Sequence, residues 1–439
     1  MKNLVILHLE SISRQCLASF ASSFPNTRRL LDESLVFDHF HSSATSTRMV
    51  ITYLLYGNDF EYDTAMRYEG MRAAGNNRDL LTLLQGRGYR AEVLCLNGFH
   101  GIRTPLETLA KELPSLWGTN EFSKLFERFD ELTDAAPFAV YVWNLLTHIE
   151  HSRSLAPLSD SLTDQVQRAC KIADDAIGVM LATLQRKGLL ENTTIVVFGD
   201  HGDDYWTHGF KAGMIHGTEP YAGITWVPMA IRDPALQAGH TERLASTIDI
   251  APTCLALLGI DETPAFAHSG IDLLSGERAL AFSQNFTANQ GDSAALGIRQ
   301  AFAVCDRTHT LLASSRGLEL YAHRLDPGNH CNLLHFFELD PGGSLVFRKP
   351  QGVAPHFLAA MQDNPHSIDG LLRAFQRLRT ALAERLQAKR DYIVGRGVAA
   401  GGALDPACLR TLNRDGREAF FRRVEPAAAS SPRVSFRPR

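Results

Sequence analysis

Apolar positions along the chain alternate between short unbroken runs and longer stretches in which they recur every three or four residues. The run from Leu4 to Leu9, interrupted by His8, reads as a buried first strand. A helix-like stretch at residues 27–33 follows, then the hydroxyl-rich segment Ser42-Ser43-Ala44-Thr45-Ser46-Thr47-Arg48, which reads as a loop. Residues 79–88 predict a helix closed by glycine, and Arg90 to Leu96 the strand after it. Phe138 to Trp143 predicts another buried strand, ending near His148 and His151. Between Thr163 and Lys187, Val166, Ala169, Ile172, Ala173, Ile177, Met180, Leu181 and Leu184 keep helical spacing, and Gly188 supplies the stop. Thr194 to Phe198 is again continuous and apolar, the mark of a parallel strand covered on both faces.

Strands alternating with helices predict an α/β fold: a doubly wound, mostly parallel sheet flanked by helices. In such sheets ligands gather beyond the carboxyl ends of the strands, where Glu10, His148 and Asp200 fall. From about residue 280 to 339 short strand-like runs with Gly and Asp-Pro turns predict a smaller antiparallel subdomain, and residues 367–392 predict a long amphipathic helix. The expected organisation is a catalytic core over residues 1–275, an antiparallel subdomain over 276–350, a helical extension over 351–397 and a mobile tail over 398–439, rich in Ala, Gly, Pro and Arg. No internal repeat is evident.

With 439 residues and 45% hydrophobic content, the chain can bury a large core. Its 44 basic and 48 acidic side chains leave a formal charge of -4, with no broad electrostatic footprint for nucleic acid or an anionic membrane. The first apolar run is too short for a signal-peptide core, and no stretch approaches the roughly 20 apolar residues of a bilayer span. An integral membrane segment is therefore not expected. The seven cysteines contain no CxxC pair, which argues against a disulfide framework or a cysteine zinc site and makes the cytoplasm the expected location.

Asp200-His201-Gly202 directly follows a predicted strand, where a carboxylate and an imidazole can share one divalent cation. Taken alone, this triplet is as readily a strand-end turn, and Glu10 a carboxylate reaching solvent. Two strand ends of one parallel sheet converge, however, and that convergence favours a shared site.

The run Gly188-Leu189-Leu190-Glu191-Asn192-Thr193-Thr194-Ile195-Val196-Val197-Phe198-Gly199-Asp200-His201-Gly202 resembles the sulfatase signature around its metal-binding Asp-His pair. The resemblance, to the sulfatase and alkaline phosphatase superfamily, continues through Trp226-Val227-Pro228-Met229, Ser246 to Thr253, Glu319-Leu320-Tyr321, Asp326-Pro327 and Asn332-Leu333, roughly residues 3–335. Family sulfatases convert a Cys or Ser, four residues before an Arg, to formylglycine; here Ala44 stands four before Arg48 and cannot be oxidised to that aldehyde. Ala44-Thr45-Ser46-Thr47 is instead similar to the nucleophile loop of phosphoethanolamine and phosphoglycerol transferases, which also carry Glu at the first-strand ligand position, as Glu10 does here.

That resemblance implies Thr45 as nucleophile, with Ser46 and Thr47 as rivals, and Glu10, Thr45, Asp200 and His201 around a principal metal. Zinc fits this ligand set, manganese also suits it, and a second ion is compatible with it. His148 and His216 match the family's substrate-side histidines, with His151 and His208 as substitutes in another register, while Arg48 and Lys211 are candidate phosphate clamps. The implied activity is a phosphoryl-type hydrolase or transferase acting on a small-molecule or glycan-type phosphate ester or diester, such as a phosphoethanolamine or phosphoglycerol group. A sulfatase is the alternative within enzymes, and a noncatalytic binding module the alternative outside them.

Overall fold

The computed structural model describes residues 1–59, 79–96, 105–119, 121–148, 161–205, 207–208, 214–261, 270–285, 299–348, 367–395 and 406–413. Its strands are β1 (Asn3–Leu9), β2 (Leu35–His41), β3 (Arg90–Leu96), β4 (Ser115–Thr119), β5 (Phe138–Asn144), β6 (Thr193–Gly199), β7 (Asp204–Tyr205), β8 (Met214–Ile215), β9 (Met229–Arg232) and β10 (Gly239–Ser246). Eight of these form one sheet in the order β10-β2-β9-β6-β1-β5-β3-β4. All neighbours are parallel except β9, which runs antiparallel to both β2 and β6.

Every residue of β1, β5 and β6 is buried. The pleat sorts them into two cores. Leu4 and Ile6 join Phe198, Tyr141 and Trp143 under the helices Thr47–Tyr56 and Ile250–Leu257. Val5, Leu7 and Leu9 join Val140, Val142 and Ile195 under the helix Leu162–Arg186. Ser161 caps that helix by accepting from the Asp164 backbone N–H.

Order reverses at β1, whose neighbours β5 and β6 lie on opposite sides, so the crevice at the carboxyl ends of these three strands is the sheet's switch point. Register then sets the site: Leu9 pairs with Gly199 on one side and with Asn144 on the other, which brings Glu10 beside Asp200.

The second sheet, β11 (Ala281–Gln284), β12 (Ala301–Cys305), β13 (His309–Ser314) and β14 (Gly317–Ala322), is an antiparallel meander. The helix Ile368–Gly395 packs on it through Leu371, Phe375, Leu378 and Leu382. Most of residues 398–439 lies outside the described residues. The described part, 406–413, is docked: Leu412 bridges to Leu318, and Cys408, Leu409 and Leu412 join the subdomain core.

The edge strand β11 also braces the segment before the helix Thr47–Tyr56. Gln284 N–H donates to the Ser43 carbonyl and Thr45 N–H to the Gln284 carbonyl, both at 3.2 Å, while Ser283 hydroxyl donates to the Ser42 carbonyl. From the other side Gly217 N–H reaches the Thr45 carbonyl at 2.6 Å. Among the described residues no helix is long and apolar enough to cross a membrane.

Candidate active site

At the switch point Glu10, Asp200, His201 and His8 converge, all within the protein interior. One ligand atom each from His8, Glu10 and Asp200 lies within 4.8 Å of the other two. His201 Nε2 is 3.2 Å from Asp200 Oδ2 and 3.9 Å from Glu10 Oε1. Its Nδ1 lies 3.1 Å from the Gly202 carbonyl, a contact that fixes the proton on Nδ1 and leaves the Nε2 lone pair facing the carboxylates.

Two side-chain donors and one backbone N–H hold these groups. Trp143 Nε1–H donates to Glu10 Oε2 at 2.7 Å, Thr147 hydroxyl to the Glu10 carbonyl at 2.6 Å, and Ser11 N–H to Asp200 Oδ1 at 3.0 Å. Ser11 adopts a φ of 56°, sparsely populated for a residue with a side chain, at the turn that aims this N–H. Gly199 and Gly202, on either side of the Asp-His pair, sit where a Cβ would meet the Ile12 and Gly223 carbonyl oxygens at 2.2 Å, so only glycine fits.

One hydroxyl enters this cluster. Thr47 Oγ1 is 2.9 Å from Glu10 Oε1 and 2.8 Å from His201 Nε2, at the first residue of the helix Thr47–Tyr56, with Ser46 as its N-cap residue. The expectation put Thr45 there. Thr45 Oγ1 is instead buried without a hydrogen-bond partner, and its backbone is spent on β11 and Gly217. The hydroxyl beside the carboxylates and imidazole is thus two residues further on.

The electrostatics of the cluster test which group its residues fit. Burial, and then the Asp200 charge, push the Glu10 carboxyl up to about 7. Burial also opposes ionisation of Asp200, but His201, His8 and the Ser11 N–H outweigh it and hold that carboxyl below its usual range. Burial lowers His201 to about 4, keeping its ring neutral and its lone pair available. Elsewhere a buried carboxylate such as Asp249 is met by Arg278. Around Glu10 and Asp200 the partners among the described residues are imidazoles, hydroxyls, an indole and a backbone N–H. Asp200 Oδ2 accepts no hydrogen bond despite complete burial. Two interior carboxylates, the neutral His201 imidazole and an orphaned carboxylate oxygen fit a divalent cation held by Glu10, Asp200 and His201, with His8 in reach.

Next to the cluster His216 stacks on His201 with ring centroids 4.4 Å apart, and His148 meets His216 edge-on at 5.1 Å. Asp203 Oδ1 lies 2.9 Å from His216 Nδ1. Burial disfavours the charged His216 ring, but the Asp203 contact outweighs it and lifts His216 above its ordinary value.

The sulfatase family model matches residues 2–260, more than half of the chain. The chain belongs to the sulfatase family. It is 28% identical over 199 residues to an arylsulfatase from Volvox carteri, covering 38% of this chain and 30% of that protein. It is 29% identical over 123 residues to lipoteichoic acid synthase 2 of Bacillus subtilis, covering 27% and 19% respectively. The matched stretches thus span less than a third of these two relatives. Among solved structures it superposes on a 2-O GAG sulfatase with a TM-score of 0.61, at 15% identity, covering 94% of this chain and 96% of that one. It superposes on the lipoteichoic acid synthase LtaP from Listeria monocytogenes with a TM-score of 0.54, at 16% identity, covering 78% and 87%.

In this sulfatase-family chain the expected site residues divide. Glu10, Asp200, His201, His148 and His216 come together. Arg48 is half-buried in the first turn after Thr47. The His208 ring bonds Asp204 through Nδ1 and the Asn329 carbonyl through Nε2 at 2.9 Å, and it stacks on Tyr221 with centroids 3.7 Å apart. Both nitrogens are engaged, and the ring ties a core loop to the C-terminal half. His151 and Lys211 lie outside the described residues. Sequence reasoning missed His8, Trp143 and Asp203. His8 stands two positions before Glu10 at the end of β1 and so points to the same face.

Proposed function

We propose that the chain is a metal-dependent phosphoryl-type hydrolase or transferase that works through Thr47. What carries the reading is the Thr47 hydroxyl, buried and within hydrogen-bond reach of both Glu10 and His201. A bound divalent cation, zinc or manganese, would supply the positive charge that favours the ionised threonine oxygen. Thr47 Oγ attacks phosphorus in line, the bond from phosphorus to the leaving oxygen breaks, and the departing alcohol takes a proton from His216. Water or an acceptor hydroxyl then attacks the phosphothreonine, breaks the Oγ–P bond and returns a proton to His216. Asp203 keeps His216 protonated for the first step, and His148 lines the same side.

Sulfatase chemistry through formylglycine needs Cys or Ser at the position beside the ligands, and threonine stands there. The substrate class is a small-molecule or glycan-type phosphate ester. Glycan substrates fit the fold's company, since one solved neighbour binds D-glucosamine-2-N,6-O-disulfate. The test is a screen of purified protein with zinc or manganese against chromogenic phosphomonoesters, phosphodiesters, phosphonates and sulfate esters. Turnover of phosphoryl compounds above sulfate esters is expected; turnover of sulfate esters alone would replace this reading with a sulfatase, and a protein that takes up no metal would favour a binding module.

A further inference from the structure

Apart from the active site, a second group of metal-type side chains meets where the two sheets join. His39 and His41 alternate along β2 and so share one face of the strand, and His323 follows the last residue of β14. One ring nitrogen from each lies within 4.8 Å of the other two. His41 and His323 are buried and His39 is half-buried. Trp226 floors the cluster, with its ring 5.7 Å from His41 and 5.2 Å from His323, and its own Nε1–H is fixed on the Asp38 carbonyl at 3.0 Å.

We propose that His39, His41 and His323 form a second transition-metal site, of the class that takes zinc, copper or nickel, clipping the C-terminal subdomain to the catalytic sheet. Burial leaves both interior rings neutral, with His323 lowered to about 4 and His41 well below its ordinary value, so their lone pairs are available at neutral pH. Two of the nitrogens, His39 Nδ1 and His41 Nε2, are buried without a hydrogen-bond partner, a desolvation cost that a bound cation would offset.

The outward nitrogens are held as those of metal-bound histidines are. Glu242 Oε2 meets His39 Nε2 at 2.9 Å, and the Arg307 carbonyl meets His323 Nδ1 at 3.2 Å. His323 Nε2 then faces inward, at present accepting from the Thr310 hydroxyl at 2.8 Å, which a metal would displace. Nitrogens on a tetrahedral zinc at about 2.0 Å stand roughly 3.4 Å apart, so small side-chain rotations close the site.

The donor set differs from that of the active site: three imidazoles here, carboxylates and imidazole there. Between β2 and β1 lie β9 and β6, a separation of about 14 Å at ordinary strand spacing. His41 is the last residue of β2, and the segment leading to Thr47 begins directly after it. A metal there would anchor the root of that segment.

The probe is zinc alone, added to metal-stripped full-length protein. Asp200→Ala, which disables the active-site cluster, should retain about one zinc per chain by mass spectrometry and rise in thermal midpoint when zinc is added. His323→Gln or His39→Asn in that background should abolish both the bound zinc and the thermal shift. Cobalt in place of zinc should give the visible absorption of a tetrahedral nitrogen site in the first protein and none in the others. If either double variant fails to fold, X-ray absorption on zinc-loaded Asp200→Ala protein decides. A shell of three imidazoles at about 2.0 Å supports the site, and a shell dominated by oxygen overturns it. Absence of zinc from Asp200→Ala, or zinc that survives both histidine substitutions, would reduce the cluster to aromatic packing.

Discussion

Removing the Thr47 hydroxyl separates the two threonines of the loop. Thr47→Ala leaves Glu10, Asp200 and His201 in place, so bound metal should persist while the attacking oxygen is gone. A loss of at least about 10⁴-fold in kcat/KM is expected, or roughly 5 kcal/mol of transition-state stabilisation at 1.36 kcal/mol per tenfold. The folded state should lose far less: two hydrogen-bonding contacts of the hydroxyl, to Glu10 and His201, together contribute about 1–2 kcal/mol. Thr45→Ala deletes a hydroxyl that makes no hydrogen bond and should stay within about tenfold of the parent. Thr47→Ser keeps an oxygen at the same position and should retain part of the activity. The assay is steady-state turnover of whichever ester the substrate screen identifies, with metal content measured in parallel and a slow substrate used to trap the adduct for peptide mapping. A phosphoryl group mapped to Thr45, or a Thr47→Ala enzyme with near-parental activity, would refute the assignment. The second outcome would leave metal-activated water as the attacking group.

Asp200→Ala should lose the active-site metal and turnover yet keep its fold by circular dichroism, because the sheet around it is held by apolar burial. In chelated protein Glu10, raised to about 7 from 4.5, favours the folded state most below pH 4.5 and forfeits about 3 kcal/mol as pH rises to 7, since the folded form holds its proton longer. Urea unfolding at pH 5 and pH 7.5 should show that loss, and Glu10→Gln or saturating metal should remove it; a flat profile in the chelated parent would contradict it. Asp203→Asn withdraws the group that lifts His216, so the alkaline limb of the rate profile should move to lower pH, and an unmoved limb would take His216 out of proton transfer.

Much of this was legible before the coordinates. Continuous apolar runs marked β1, β5 and β6, helical spacing marked the helix Leu162–Arg186, and strand ends in a parallel sheet point to one crevice, which brought Glu10, Asp200, His201 and His148 into view. The choice between Thr45 and Thr47 was not legible, because both are threonines in one polar segment. What separates them is that residues 43–45 pair with β11, about 240 positions away, and that the helix begins only after Ser46. His8 was hidden because a histidine inside an apolar run reads as an interruption, although the pleat carries it to Glu10. His208 had the right residue type near the right motif, and only the structure shows its contacts with Asp204 and Asn329. His39 and His41 lie in one sheet and His323 just past the last strand of the other, so no local pattern joins the three.

The family match ends at residue 260, yet the segment that delivers Thr47 is seated against Ser283 and Gln284. Glu10, Asp200, His201 and Thr47 therefore fall within the matched span, while the segment that carries Thr47 is braced by a strand beyond it. Within such an arrangement, divergence can retune the angle of attack or the breadth of accepted leaving groups by altering β11 and its supports. No residue that touches the substrate needs to change, and a comparison of site residues alone would overlook the difference between two members.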